Sequence, residues 1–223
     1  RCGPQEPSDV DAREAMIRAH EKPCQMHNNC SGKHSGFLTL TKHLGAGPEY
    51  VDPDHPLQRA CLSAFEEVTQ ETSPGFGIDG CSAPNFACTL HGMARAMAHF
   101  AAAPDGSAEA RLHQAMRLHP DLVAGEGRAC TELMRAMDGK VALKTGAEGF
   151  FIAILPELKL GIALKASCGT TRAAECAIAA ILVGLGALEA DHPATLRRMN
   201  ASIKNWRGIE TGTLKPAVEL MMA

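Results

Sequence analysis

Three short apolar runs in the second half of the chain constrain its fold more than any other feature. The segments KVALKTG, GFFIAILPE and KLGIALKAS are rich in Val, Ile, Phe and Ala, and glycine-containing turns separate them at hairpin distance. Such runs favour adjacent antiparallel strands. Helical patterns precede them, and a long apolar helical pattern over residues 171–188 follows. This order predicts an α+β fold, an antiparallel sheet flanked by helices, rather than an alternating parallel α/β fold.

Apolar residues at helical spacing predict the remaining helices. The first of them has Ser8 as its expected N-cap. The polar stretch NNCSGKHSG, residues 28–36, is expected to form a loop that leads into the second helix, and SPGFGIDG, residues 73–80, is expected to be rich in turns. The expected helices cover residues 9–21, the segment SGFLTLTKH up to Gly45, and residues 56–72, 89–102, 107–119 and 128–137.

Charge and composition argue against several classes of function. The 223 residues include 22 Lys and Arg against 25 Asp and Glu, a formal net charge of −3, and no basic run that would follow a phosphate backbone. A nucleic-acid partner and an anionic membrane partner are therefore not expected. The best candidate for a membrane span, residues 173–188, contains Glu175 and is too short to cross a bilayer.

Cysteine usage indicates the cellular compartment. The nine cysteines form an odd set with irregular spacing, which does not suit the disulfide framework of a secreted protein. A reducing cytosol, and hence a cytoplasmic protein, is expected.

Three polar clusters contain many reactive groups where no core pattern is present. They are NNCSGKHSG (residues 28–36), GIDGCSAPN (residues 77–85) and KTGAEG (residues 144–149). Their thiols, amines, imidazole and carboxylates are groups that bind metals or move protons. We expect all three clusters to contribute to one functional site.

Cys30 and Cys81 are the first candidates for metal ligands. Lys33 and His34 follow Cys30 closely in the sequence. Their spacing matches no ordinary zinc-finger pattern. Two plainer interpretations stay open: the thiols are ordinary buried cysteines, and His34 is a structural hydrogen-bonding residue. Asp79 is either a carboxylate that holds a metal-bound water or an ordinary turn aspartate.

The third cluster places Lys144 at the end of a predicted strand. In penicillin-recognising serine enzymes a Lys-Thr-Gly strand lines the site and its lysine assists a serine nucleophile. A solvated strand-end lysine is the alternative. Such an enzyme also needs a Ser-x-x-Lys pair, and the chain has none. Thr39 and Lys42 have that spacing, but Thr39 falls in the middle of a predicted helix.

Cys130 falls at the predicted start of the helix over residues 128–137. Packing is its expected role, although a thiol at a helix N-terminus has a lowered pKa and is for that reason a site candidate.

Taken together, HNNCSGKHSGFL, GIDGCSAPNFA and LKTGAEGFF resemble motifs of the class 3, rhizobial-type L-asparaginases. These motifs are long, and the resemblance extends along nearly the whole chain. It implies the serine β-lactamase and glutaminase-like fold. It also implies a homodimeric amidohydrolase of asparagine catabolism, which converts L-asparagine and water to L-aspartate and ammonia.

The resemblance implies roles for individual residues as well. Members of this family hold a zinc ion with two cysteines and a lysine. Keeping a lysine neutral at about pH 7 costs on the order of 4 to 5 kcal/mol, and a good zinc site returns roughly 10 to 16 kcal/mol. A lysine ligand is therefore acceptable. By match to the family motifs, the zinc ligands are Cys30, Lys33 and Cys81, the site-lining residues are His34, Asp79 and Cys130, and the catalytic lysine is Lys144.

The implied mechanism is attack of a serine hydroxyl, deprotonated by a lysine, on the side-chain amide, which gives an acyl-enzyme that water hydrolyses. The zinc is expected to position the substrate. In this family the nucleophilic serine and its lysine partner lie N-terminal to every motif found here, and the chain begins with Arg1 rather than methionine. Residues 1–223 are therefore expected to be the C-terminal two-thirds of an asparaginase domain, with the serines upstream of Arg1.

Two alternatives to asparagine hydrolysis stay open. One is a glutaminase or a broader amidase on the same fold. The other is a non-catalytic zinc-binding remnant that has lost its nucleophile.

Overall fold

The computed structural model describes residues 3–217 and Leu220. The chain divides into two compact units, Arg1–Thr89 and Leu90–Ala223. The elements of both units are helices and small antiparallel sheets, which confirms the predicted α+β fold. No helix of the described part has both the length and the apolar character that crossing a membrane requires.

The first unit contains helices and one short hairpin. Its described elements are α1 Val10–Arg18, α2 Ser31–His43, α3 Pro56–Thr69, β1 Phe76–Ile78 and β2 Pro84–Phe86. Helix α1 begins one residue later than predicted, because Asp9 and not Ser8 is its N-cap. The Asp9 carboxylate accepts a hydrogen bond from the Ala12 amide at 2.8 Å.

The start of α2 corrects the prediction that residues 28–36 form a loop. The helix begins at Ser31, with Cys30 as its N-cap residue. Glycines and serines lower the intrinsic helix propensity of this segment. Burial of His34 and Thr41, the two buried residues of the helix, compensates for that low propensity, because most helical stability comes from tertiary packing. The correction places the polar cluster on a helix.

The turn-rich interpretation of residues 73–80 is incomplete. Strand β1 pairs antiparallel with β2, with Phe76 opposite Phe86. Strands of three residues are too short to show an alternating pattern in sequence. The residues between them form the connecting turn, which contains Asp79 and Cys81.

The second unit is built around a three-stranded antiparallel sheet of order β3-β4-β5, which confirms the three predicted strands and their adjacency. Helices α6 and α9 and the hairpin β6–β7 have no counterpart among the predicted elements, because each is short. The described elements are α4 Leu90–Ala101, α5 Ala108–Leu118, α6 Pro120–Ala124, α7 Ala129–Ala136, β3 Ala142–Thr145, β4 Phe150–Leu155, β5 Leu160–Lys165, α8 Thr171–Gly184, α9 Pro193–Met199, β6 Ala201–Lys204 and β7 Glu210–Leu214.

The hydrophobic core of this unit lies where the sheet meets α7 and α8. Leu143 of β3 and Phe151 of β4 are fully buried there, together with Leu133 of α7 and Ile178 and Leu182 of α8. Burying such side chains contributes about 1.5 to 3 kcal/mol each, so the core holds β3 and the start of α7 in fixed positions.

Helix α4 packs on the edge strand β5 at Gly161. A Cβ atom at this position would lie 2.1 Å from the Ala98 amide nitrogen and 2.3 Å from the Ala94 carbonyl oxygen. Only glycine allows the helix backbone to approach the strand this closely.

Candidate functional site

Two separate stretches of the first unit bring four of the predicted site residues together. Cys30 and Lys33 lie three positions apart at the start of α2, a spacing that places both side chains on one face of a helix. Asp79 and Cys81 lie in the turn between β1 and β2. The sequence separation between Lys33 and Cys81 is 48 positions, so folding alone creates this cluster.

The functional atoms of the cluster are close to one another. The sulfur atoms of Cys30 and Cys81 and a carboxylate oxygen of Asp79 all lie within 4.8 Å of each other. The Lys33 ammonium donates to Cys81 Sγ at 3.1 Å and to Asp79 Oδ2 at 3.4 Å. The Cys81 thiol donates to the same Oδ2 at 3.1 Å.

The turn that presents Asp79 and Cys81 is held by its own hydrogen bonds. The Asp79 amide donates to the Ala83 carbonyl at 2.9 Å, and the Ser82 amide donates to the Asp79 carbonyl at 2.8 Å. Ser82 has a φ of +71°, a left-handed conformation that is uncommon for a residue other than glycine. Such backbone conformations concentrate at functional sites.

Charge within the cluster determines how its groups ionise. Burial lowers the pKa of Lys33, but the hydrogen bond to Cys81 and the negative charges around it outweigh burial, and the net pKa lies above its ordinary value. The hydrogen bond from Cys81 is the main cause that lowers the pKa of Asp79, assisted by the Gly80 amide and by Lys33. Without a metal, an ammonium and a carboxylate therefore face the two thiols.

The donor set suits a metal ion. Cysteine sulfur and carboxylate oxygen are ordinary zinc ligands, and soft sulfur selects zinc over magnesium or calcium. The group of Cys30, Asp79 and Cys81 can hold an ion. Lys33 can add a fourth donor atom, its Nζ nitrogen, once it is deprotonated, because Nζ already contacts Cys81 and Asp79.

His34 lies in an aromatic environment next to this cluster. Its Nδ1 is 2.8 Å from the Tyr50 hydroxyl, and its ring meets the rings of Phe37 and Tyr50 edge-on at centroid distances of 5.7 and 5.6 Å. Its Nε2 has no hydrogen-bond partner among the described residues. Burial, with the nearby charge of Lys33, lowers the pKa of His34 and favours the neutral ring. These contacts agree with the structural hydrogen-bonding interpretation.

Lys144 and Cys130 lie in the second unit, close to each other. Lys144 is exposed on β3, where it pairs with Ile152, and its Nζ donates to the Thr145 carbonyl at 2.5 Å. The Cys130 sulfur, in the first turn of α7, accepts a hydrogen bond from the Thr145 amide at 3.2 Å. The backbone of Thr145 therefore links the strand-end lysine to the helix that carries the thiol.

Burial corrects the expectation of a lowered pKa for Cys130. The side chain is 1% exposed and belongs to the hydrophobic core. Burial raises the pKa of the thiol and outweighs the Thr145 amide and the charge of Lys144, which lower it. The expected packing role of Cys130 is thus confirmed, whereas the expected effect of the helix N-terminus is wrong.

Thr39, the hydroxyl with the spacing of a Ser-x-x-Lys pair, is an ordinary helical threonine. It lies inside α2, and its Oγ1 donates to the Ser35 carbonyl at 2.8 Å. A hydroxyl bonded to the backbone one turn earlier is typical of threonine in helices.

Two residues that the sequence did not single out support the cluster. The Asn28 side chain accepts a hydrogen bond from the Cys30 amide at 2.7 Å and donates to the Gly3 carbonyl at 2.6 Å. Tyr50 holds His34, and its carbonyl accepts a hydrogen bond from Gln58 at 2.7 Å. Asn28 could have been found by its place two residues before Cys30, since asparagine commonly bonds backbone amides two positions on. Tyr50 carries no such local signal.

The fold and the site together define the class of protein. It is an α+β protein with a candidate metal centre of two cysteines and an aspartate, next to a lysine. Comparison with curated proteins gives no match. The chain belongs to the L-asparaginase II family, whose sequence profile matches residues 1–216. Membership supports an amidohydrolase activity of the asparaginase type.

Proposed function

We propose that this chain belongs to a class 3, rhizobial-type L-asparaginase that hydrolyses the side-chain amide of L-asparagine with a Ser/Lys nucleophile. In this proposal the enzyme is a cytoplasmic homodimer with a zinc ion near its site. The chain has no Ser-x-x-Lys pair, and in this proposal the nucleophilic serine would lie outside residues 1–223. Membership of the L-asparaginase II family supports the reaction class.

The meeting of Cys30, Lys33, Asp79 and Cys81 is the observation that carries the proposal. Two thiols, a carboxylate and an amine converge here from two separate stretches of chain, and thiolate sulfur and carboxylate oxygen are ordinary zinc ligands. In this proposal Cys30, Lys33 and Cys81 hold the zinc, which would supply a fixed positive charge for positioning the substrate. Asp79 would hold a water molecule beside the zinc.

Proton transfer in the second unit is assigned to Lys144. Its amine is exposed near the end of β3 and donates a hydrogen bond to the carbonyl of the next residue. It would carry the proton of the serine hydroxyl or stabilise the negative charge that develops when the amide carbon is attacked. Cys130, buried behind Thr145, would shape the site and not act as a nucleophile.

Ammonia release tests this proposal and its two alternatives. Asparagine and glutamine differ by one methylene, which binding sites discriminate by about 10- to 200-fold. We expect kcat/KM for asparagine to exceed that for glutamine by at least about 10-fold, with about one zinc per chain by elemental analysis. A preference for glutamine would indicate a glutaminase, and bound zinc without turnover would indicate a non-catalytic protein.

A further inference from the structure

We propose that Cys30 and Cys81 form a disulfide when a peroxide reaches the metal-free centre. Zinc binding and oxidation would then compete for the same two thiols. The inference rests on the proposed metal centre and adds a redox regulation of it.

The geometry of the two cysteines favours a disulfide. Their sulfur atoms lie within 4.8 Å of each other, and both are thiols in the structure. A disulfide needs a sulfur–sulfur distance of about 2 Å. Cys30 is the N-cap residue of α2 and Cys81 lies in a hairpin turn, so neither sits in the middle of a regular element. A side-chain rotation and a movement of the turn would have to close the remaining distance between the sulfurs.

Burial assigns the order of the two steps. Cys30 is partly exposed, whereas Cys81 is 2% exposed. A peroxide in solvent therefore meets Cys30 first. The buried Cys81 sulfur lies 3.1 Å from the Lys33 nitrogen and within 4.8 Å of the Cys30 sulfur, so it is placed to react with an oxidised Cys30. Cys30 is the peroxide-reactive thiol, and Cys81 is the resolving thiol.

The reaction balances with one peroxide molecule. The Cys30 sulfur attacks a peroxide oxygen, the O–O bond breaks, one water leaves, and Cys30 becomes a sulfenic acid. The Cys81 sulfur then attacks the Cys30 sulfur, the S–S bond forms, the S–O bond breaks, and a second water carries away the Cys81 proton. Two thiols are oxidised by two electrons, and hydrogen peroxide is reduced to two waters.

The product cannot bind metal as the thiol pair does. Zinc is held by thiolates, and the disulfide leaves neither sulfur as a thiolate. In the other direction, a bound ion occupies both sulfurs and hides them from peroxide. At free zinc about 100 times its Kd, about 1% of chains are metal-free, so zinc should slow oxidation of the pair about 100-fold.

The test is peptide mapping of the protein after treatment with hydrogen peroxide. Metal-free protein and zinc-loaded protein are oxidised, blocked with iodoacetamide and digested. We expect a cross-linked peptide pair containing Cys30 and Cys81 in the metal-free sample, its loss on reduction with dithiothreitol, and about 100-fold slower formation with zinc. The exposed thiol of Cys168 provides the matched control: Cys168→Ser should give the same cross-link at the same rate.

The outcomes separate this inference from the proposed function. No Cys30–Cys81 cross-link in metal-free protein that binds about one zinc per chain would overturn the inference and leave the metal centre intact. A cross-link in protein that binds no zinc would support the disulfide and refute the metal centre. Because the mapping uses the parent protein, it does not depend on whether Cys30→Ser or Cys81→Ser folds.

Discussion

The pH dependence of zinc affinity tests whether Lys33 is a metal ligand. In the metal-free protein Lys33 contacts Cys81 and Asp79 as an ammonium, and its pKa is raised. It must lose a proton before its nitrogen can bind zinc. That proton is released in addition to any lost by the two thiols. Because the raised pKa keeps Lys33 protonated through the neutral range, zinc affinity should fall as the pH falls.

The perturbation is Lys33→Met, which removes the amine and keeps a long side chain. Deprotonating a lysine at pH 7 costs on the order of 4 to 5 kcal/mol, and the cost changes by about 1.4 kcal/mol per pH unit. A plot of log affinity against pH should therefore lose one unit of slope in the variant. The ratio of parent affinity to variant affinity should rise about 100-fold between pH 6 and pH 8.

Competition with a chromophoric zinc chelator at pH 6, 7 and 8 measures both slopes. Lys42→Met is the matched control, because Lys42 is an exposed lysine in the last turn of the same helix and should leave the slope unchanged. Parallel lines for the parent and Lys33→Met would refute the reasoning. Lys33 would then remain an ammonium that pairs with the cluster, and Asp79 would be the third ligand.

Two further predictions concern the second unit. Lys144→Met in the complete enzyme should lower kcat for asparagine by at least about 100-fold, the low end for loss of an acid–base group, without changing the melting temperature. The control is Lys140→Met at another exposed lysine. An equally small effect of both substitutions on kcat would show that Lys144 is only a solvated residue. Gly161→Ala should lower the free energy of unfolding in urea by about 1 to 3 kcal/mol, because its Cβ would lie 2.1 Å from the Ala98 nitrogen. Unchanged stability would mean that α4 does not pack on the strand so closely.

The sheet of the second unit is predictable from the sequence because a short local run of residues specifies each of its strands. Alternating or continuous apolar runs bounded by glycine turns define β3, β4 and β5 within a few residues. Helix α4 is also predictable within a residue at each end, since its predicted range is 89–102 and its range in the structure is Leu90–Ala101. The long α8 is predicted for the same reason, since its apolar pattern requires no partner to be recognised. The hairpin β6–β7 and α9 are short and lack such a pattern.

The sequence by itself supplied the candidate residues of the site. Cysteine, lysine and aspartate in NNCSGKHSG and GIDGCSAPN marked the two segments by their chemistry, and the resemblance to the class 3 L-asparaginases, not residue identity alone, implied roles for Cys30, Lys33, Asp79 and Cys81. The strand-end position of Lys144 also followed from a local pattern. Chemical identity is a property of the residue and does not depend on its neighbours.

Tertiary structure alone decided how these residues meet and how they ionise. Packing of His34 starts α2 at Ser31 and so sets Cys30 and Lys33 on one helix face, against the low helix propensity of the segment. The hairpin turn brings Cys81 to within 3.1 Å of Lys33 across 48 positions of sequence. Burial raises the pKa of Cys130, where the helix start alone would lower it. Distance and burial depend on what the rest of the chain places around a residue, and only folding supplies that.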